Sequence, residues 1–299
     1  MSNRSERKQI AANTLDIIKN GLYSFPTGNG MDAEVISIKE DITKCDENTK
    51  IYDRNDWEKL FTKFTSPLQW QGRTTKFEVT DEYSLTCCKR LHEEGYENIT
   101  CLNFASAKHP CGGMINGSIA QEESLGLCSA LHSSLSKQEV HYGANIKDPK
   151  NGLYQDSLIY SPGCPVFRND TNYKLLERPF NVNFISCPAV NLSVSRAPLN
   201  VVKETMLRRT NAILSVAADE GCDVLVLGAW GTGVFQNAIK DVASYFKEYL
   251  IPKSDDLLSD QNMGSFVNIF PNQCLPTVVF AVGQETHKQQ AFKAAFLDS

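Results

Sequence analysis

With 299 residues, 41% hydrophobic and 22% charged, the chain has the apolar content for a full globular core and none of the bias of a fibrous or low-complexity sequence. A formal net charge of −5 excludes a global basic field that would attract DNA or RNA non-specifically, and no local basic patch replaces it. No stretch approaches the ~18 consecutive apolar residues of a membrane helix.

The opening run "MSNRSERKQIAANTLDIIKNG" is polar where a secretory leader would be apolar, which points to an intracellular protein, cytoplasmic or nuclear. Ten cysteines are scattered through apolar runs such as "ITCLNF" and "FISCPAV" and read as buried thiols of a reducing compartment. Cys87 and Cys88 are adjacent rather than spaced as CxxC, and no Cys/His cluster has zinc spacing, so neither a metal nor a cofactor is expected.

In chain order, residues 5–20 place Ile10, Leu15, Ile17 and Ile18 among charges and stop at "NG", the pattern of an amphipathic helix with a glycine end. A short strand "EVISI" follows, then a polar stretch to about residue 73. "TKFEVT" alternates as a strand, "DEYSLTCCKRLHEEG" reads as a helix and "NITCLNFAS" as a buried strand, a βαβ unit with parallel pairing. A helix is expected from Ala120 through "QEESLGLCSALHSSL", with strands at "DSLIYSPGCPVF" and "VNFISCPAV". The helix "NVVKETMLRRTNAILSVAADEG", the strand "CDVLVLGAW", the loop "GTGVFQN" and the helix "AIKDVASYFKEYL" come next. A polar connection to about residue 274, the strand "TVVFAV" and a short helix close the chain. This order predicts an α/β fold, a three-layer α/β/α sandwich with a mixed sheet. Residues 74–299 form the core, and residues 1–73 are an accessory helical region packed on it as one compact unit.

In open α/β sheets ligands bind beyond the C-terminal ends of the strands, and two strand-to-helix loops here carry glycines. One holds Gly112, Gly113 and Gly117; the other holds Gly231 and Gly233, with Gly228 just before. Such glycines let the backbone approach a ligand and turn N–H groups toward a phosphate or diphosphate. Each loop alone is also what ordinary turn chemistry produces; neither is a P-loop or a dinucleotide GxGxxG. Directly after the first loop stand Gln121, Glu122 and Glu123. Adjacent helical residues diverge by about 100°, so the two carboxylates do not straddle a bond as a facing pair. They suit a division of labour, one holding a sugar hydroxyl and the other, partly desolvated with a raised pKa, acting as acid and base. The plain alternative is the preference of acidic residues for a helix's first turn.

The run "LNFASAKHPCGGMINGSIAQEESL" resembles the signature of poly(ADP-ribose) glycohydrolases, in which a glycine triplet precedes "QEE" by a short spacer. "VLVLGAWGTGVFQN" resembles the diphosphate loop of the same family, and "FEVTDEYSL", "LIYSPGCPVFRND" and "VNFISCPAVN" look like its bacterial and fungal branch. The resemblance covers most of the chain and implies a macrodomain-like fold. It also implies metal-free hydrolysis of the ribose–ribose O-glycosidic bond of poly(ADP-ribose). By the same resemblance Glu123 protonates the leaving oxygen and then activates water, Glu122 binds ribose hydroxyls and Gln121 fixes the loop. Gly112 and Gly113 lie against the diphosphate and distal ribose, with Asn116 near that sugar. Gly231, Thr232, Gly233 and Val234 cradle the diphosphate, and Phe235 packs on the distal ribose. ADP-ribosylated proteins are the implied substrates, with no direct nucleic-acid or membrane partner.

Two positions depart from the family pattern: Cys111 replaces the first glycine, and Thr232 stands where relatives often have cysteine. A side chain at 111 either points away harmlessly or narrows the slot beside the distal ribose, and a positive φ there would strain it. Two other readings therefore stand beside the first: a hydrolase of another ADP-ribose conjugate, or an ADP-ribose-binding module that has lost turnover. His109 and Cys111 read poorly as a nucleophilic pair, His132 and His141 as surface or core-edge residues, and Trp230 as packing. Arg208 and Arg209 are expected on the exposed face of their helix.

Overall fold

A computed structural model describes residues 3–27, 32–64, 75–147, 152–251 and 275–298. Helix α1 (Arg4–Asn20) starts with a capping box between Asn3 and Glu6 and stops at Gly21, whose φ of 69° supplies the left-handed cap that the "NG" ending signals. An antiparallel hairpin follows, β1 (Leu22–Thr27) with β2 (Asp32–Ser37); its first strand was not anticipated from the sequence. The stretch read as polar connection instead folds into α2 (Lys39–Asn48), β3 (Lys50–Tyr52) and α3 (Arg54–Phe64).

Next come β4 (Lys76–Thr80), α4 (Ser84–Glu93), β5 (Ile99–Phe104), a 3-10 turn at Met114–Asn116, and three short helices, α5 (Gln121–Cys128), α6 (Leu131–Ser136) and α7 (Glu139–Lys147). The chain then forms β6 (Leu158–Arg168), β7 (Leu175–Cys187), α8 (Leu199–Asp219), β8 (Val224–Leu227), α9 (Ile239–Leu250), β9 (Thr277–Ala281) and α10 (Thr286–Phe296). The polar connections expected up to residues 73 and 274 end outside the described residues.

Among the described residues seven strands make one mixed sheet in the order β3-β6-β7-β5-β8-β9-β4. Strands β7, β5, β8, β9 and β4 run parallel, while β6 is antiparallel to both of its neighbours. The expected pairing of "TKFEVT" with "NITCLNFAS" is corrected here: β4 and β5 are parallel but separated by β8 and β9, and β4 bonds to β9 at the sheet edge. Strand β3, contributed from before residue 73, is the opposite edge.

Both faces of the sheet are covered, as alternation along the central strands requires. In β8, Val224 and Val226 join one apolar cluster with residues of α1, α2, α4 and α5. Leu225 and Leu227 join the other, with α3, α8, α9 and α10. The single helix expected over 120–135 is broken at Ser129–Ala130. There Ser129 bridges to Val166 of β6 and Ala130 N–H donates to Pro165 O at 3.0 Å, so sheet hydrogen bonds override local helical preference. No described helix is long and apolar enough to cross a membrane.

Candidate active site

The loops that follow β5, β8, β9 and β4 converge at the C-terminal ends of these parallel strands and line a cavity of about 1210 Å³. The first loop and the start of α5 bring Gly112, Gly113, Asn116, Gln121, Glu122 and Glu123 to its wall. Gly231, Thr232, Gly233, Val234 and Phe235 line it from the second loop.

Gln121 fastens the beginning of α5 to the end of β5. Its Nε2 donates to Leu102 O at 2.8 Å and to Ser84 Oγ at 3.1 Å, and its Oε1 accepts from Phe104 N–H at 2.9 Å. That clamp directs the next two side chains differently. Glu122 is 3% exposed and turns into the protein, where Oε2 accepts from Ser106 N–H at 2.6 Å and Oε1 accepts from Asn103 Nδ2 at 3.4 Å. The same Asn103 amide donates to Ser186 Oγ of β7 at 2.9 Å, so the ends of two neighbouring strands, β5 and β7, hold this carboxyl group. Glu123 is half-buried, and its Oε1 accepts from Gly113 N–H at 2.9 Å. No described residue bonds its Oε2.

Burial pushes the Glu122 carboxyl well above the ordinary carboxylate range, and the neighbouring Glu123 adds to the push. The Ser106 N–H, Asn103 and the Cys111 N–H oppose it. Among the pair, the deep desolvation thus falls on Glu122 rather than on the residue that the resemblance makes the acid. Gly112 explains why the carboxylates come so close to the backbone. Its φ is 56°, and an added Cβ would lie 2.6 Å from Glu123 Oε1 and 3.1 Å from Glu122 Oε2.

Cys111 has φ 53° and is completely buried, so the strain anticipated for a non-glycine there is present. The slot-narrowing alternative is overturned. Its side chain lies beneath α5, where a Cβ on Gly126 would be 2.8 Å from Cys111 Cβ and Sγ, and it is not part of the cavity wall. Burial, Glu122 and Glu123 all raise the Cys111 thiol, which removes it as a nucleophile.

The second loop is built for backbone exposure. Thr232 N–H is spent on Ala229 O at 3.2 Å, Gln236 N–H on Gly233 O and Asn237 N–H on Gly231 O. The N–H groups of Gly231, Gly233, Val234 and Phe235 take no partner among the described residues. Gly231, at φ 72°, passes so close to Ala189 and Asn237 that a Cβ would sit 2.5 Å from the Ala189 methyl. Behind it Trp230 is fully buried and donates from Nε1 to Cys187 O at 2.9 Å, as its reading as packing anticipates, although it also reaches the cavity wall.

Arg209 corrects the expectation of an exposed pair. It is 1% exposed, ion-paired with Asp156 at 3.0 Å, and donates to the carbonyls of Pro188, Leu153, Tyr154 and Gln155. Arg208 is half-buried and shares the same aspartate. Through this hub α8 fixes Tyr154, whose ring lies 6.2 Å from that of Phe235 and backs the second loop.

His141 is buried against Ser157, its pKa pushed down to about 4 by burial and Arg209; His132, held down by burial, lines the cavity. The sequence reading missed Tyr83, 41% exposed at the mouth, and Lys288 and Glu285 beyond β9. Their signal was positional, since each follows the C-terminal end of a parallel strand. Among the described residues no three His, Cys, Asp or Glu side chains converge as a metal site.

The description "Microbial-type PARG, catalytic domain", where PARG is poly(ADP-ribose) glycohydrolase, matches residues 11–169. The PARG structure from Thermomonospora curvata is similar at 33% identity and a TM-score of 0.83, with 98% of this chain and all of that chain covered. The same relative bound to the inhibitor ADP-HPD superposes with a TM-score of 0.80 at 33% identity over the same shares. PARG from Deinococcus radiodurans in complex with ADP-ribose is 32% identical, covering 86% of this chain and 97% of that one, with a TM-score of 0.72. No curated protein sequence matches.

Proposed function

This chain belongs to the microbial-type poly(ADP-ribose) glycohydrolase family, and from that premise we propose that its cavity seats the terminal unit of the polymer with Glu123 as the acid and base of cleavage. The protein is a glycosidase of the hydrolase class with ADP-ribose as its ligand.

The unpartnered N–H groups of Gly231, Gly233, Val234 and Phe235 hold the diphosphate, with Gly112 and Gly113 against its other side. Glu122 accepts from ribose hydroxyls beside the scissile bond, and Phe235, backed by Tyr154, sets the sugar's orientation. Glu123 donates its proton to the bridging oxygen as the C1–O bond breaks, leaving an oxocarbenium-like sugar and a free hydroxyl on the departing ribose. The resulting carboxylate then takes a proton from water as that water's oxygen bonds to C1, which releases ADP-ribose and restores the acid.

One observation carries this assignment: Glu123 is anchored through a single oxygen by Gly113 N–H, while its other oxygen has no partner among the described residues and belongs to a cavity-lining side chain. No metal enters this sequence of steps, and Glu123→Gln should lower turnover about 10²- to 10⁴-fold while leaving ADP-ribose affinity within a few-fold. Release of ADP-ribose from defined polymer, with calorimetric titration of ADP-ribose and a chelator arm, checks all three points. Near-normal turnover in that variant, or its loss on chelation, sinks the assignment.

The reading as a reader without turnover drew its force from a side chain narrowing the slot at position 111, and Cys111 is turned away from the cavity. We place the enzyme inside the cell, cytoplasmic or nuclear, with ADP-ribosylated proteins carrying its polymer. Support comes from the described cysteines, all buried free thiols. The net charge of −5 supports the absence of a direct DNA or RNA partner.

A further inference from the structure

We infer that Ile115 and Ile119, together with Arg4 and Lys8 of α1, form a second subsite that holds the departing ADP-ribose unit of the polymer, its adenine on the isoleucines and its diphosphate on the two cations. The inference rests on the glycohydrolase reading above and adds to it a reason for preferring polymer over a single ADP-ribosyl adduct.

Ile115 is 56% exposed and Ile119 52% exposed, yet both line the cavity, Ile115 within the 3-10 turn that carries Asn116 and Ile119 just after it. Two large aliphatic side chains left open on the wall of the cavity that Glu123 also lines form an apolar ledge. Helix α1 lies directly against this ledge. Gly117 has φ 71°, and a Cβ there would sit 2.5 Å from Arg4 O and 3.1 Å from both Arg4 Cγ and Lys8 Cγ. Arg4 Nε donates to Asn116 O at 3.0 Å, and Arg7 Nε donates to Gly117 O at 2.9 Å, so the first turns of α1 are pinned to the loop.

Arg4 spends only Nε on that bond. Among the described residues neither Arg4 nor Lys8 has a carboxylate partner. In a chain of net charge −5 two unpaired cations beside a substrate mouth favour an anion. The chemistry of the departing group fits both halves. It is an adenosine ribose, so a flat base and a doubly charged diphosphate lie one sugar beyond the bond that breaks. A mono-ADP-ribosyl adduct offers neither on that side.

The test compares two substrates across Arg4→Gln/Lys8→Gln and Ile115→Ser/Ile119→Ser. One substrate is defined-length poly(ADP-ribose), and the other is an aryl glycoside of ADP-ribose, whose leaving group carries no base and no phosphate. The charge variant should raise KM for polymer roughly tenfold at low salt and flatten its salt dependence, with kcat/KM on the aryl glycoside within about twofold of wild type. The isoleucine variant should weaken polymer cleavage several-fold with the aryl substrate again unchanged, and Arg4→Lys, which keeps the charge but gives up the bond to Asn116, should recover most of the polymer rate. Equal losses on both substrates, or no change on polymer, would overturn the subsite. Should wild type cleave neither substrate, the glycohydrolase reading fails separately. Binding of polymer relative to ADP-ribose in the same variants then decides the subsite, which is refuted if that ratio does not move.

Discussion

The two glycine loops look alike in sequence and serve opposite physical ends. In the loop after β5 the missing side chains make room for the protein's own groups. Gly112 clears the two carboxylates, Gly117 clears the backbone of Arg4, and the N–H of Gly113 is already spent on Glu123. In the loop after β8, Gly233 has nothing within 4 Å of an added Cβ and Val234 is 74% exposed, while successive N–H groups stand unbonded. The first loop is a cradle for catalytic side chains; the second is an open row of donors awaiting an anion. Glycine content therefore marks close approach, and what approaches differs.

The contrast breaks first at Gly112 and Gly233. Gly112→Ala must adopt φ 56° and push the Glu123 carboxyl from its place, so turnover should fall about a hundredfold with the fold retained. Gly233→Ala should change kcat/KM by no more than about threefold, because the new methyl meets no protein atom and leaves the N–H that faces the diphosphate in place. Steady-state kinetics of the two variants with circular dichroism reverses the comparison if Gly233→Ala is the worse.

A smaller effect is expected beneath the first loop. Gly126→Ala would drive a Cβ to 2.8 Å from Cys111 and from the sulfur of Met114, and should cost roughly 1–3 kcal/mol in denaturant unfolding. Adding Cys111→Gly should return most of that, since it empties the space and relieves φ 53°, and turnover should stay within about twofold of wild type. Additive losses in the double variant would show that the two positions do not share this space.

The smallest effect concerns Glu122. A carboxyl with a higher pKa folded than unfolded favours the fold at pH below the unfolded value, about 4.3, and loses that contribution as pH rises through the folded one. Glu122→Gln should accordingly raise Tm at pH 7 by roughly a few degrees and give no such gain at pH 4. A gain that is equal at both pH values would remove burial of charge as its cause.

Much of this site is legible in the sequence because its requirements are local. A left-handed stop at Gly21, glycines after buried strands and glutamates in the first turn of α5 each leave a mark within a few residues. Arg209 was misread for the opposite reason. Its neighbours in the chain resemble an exposed helical face, and only Asp156 with the carbonyls of residues 153–155 and Pro188, brought from two other segments, make burial of a guanidinium tolerable. The break at Ser129–Ala130 was hidden likewise, since its partners Val166 and Pro165 lie on β6.

Alternation of apolar residues, helix caps and the order glycine loop, QEE, glycine loop were set by the sequence alone, since each reflects backbone geometry or side-chain periodicity within one segment. The tertiary structure decided which strands are neighbours, that Glu122 rather than Glu123 is the deeply desolvated carboxyl, and that Cys111 turns away from the cavity toward the space Gly126 leaves. Those outcomes depend on distant segments sharing one volume. Desolvation and steric exclusion act on whatever is nearest in space, however far apart it lies along the chain.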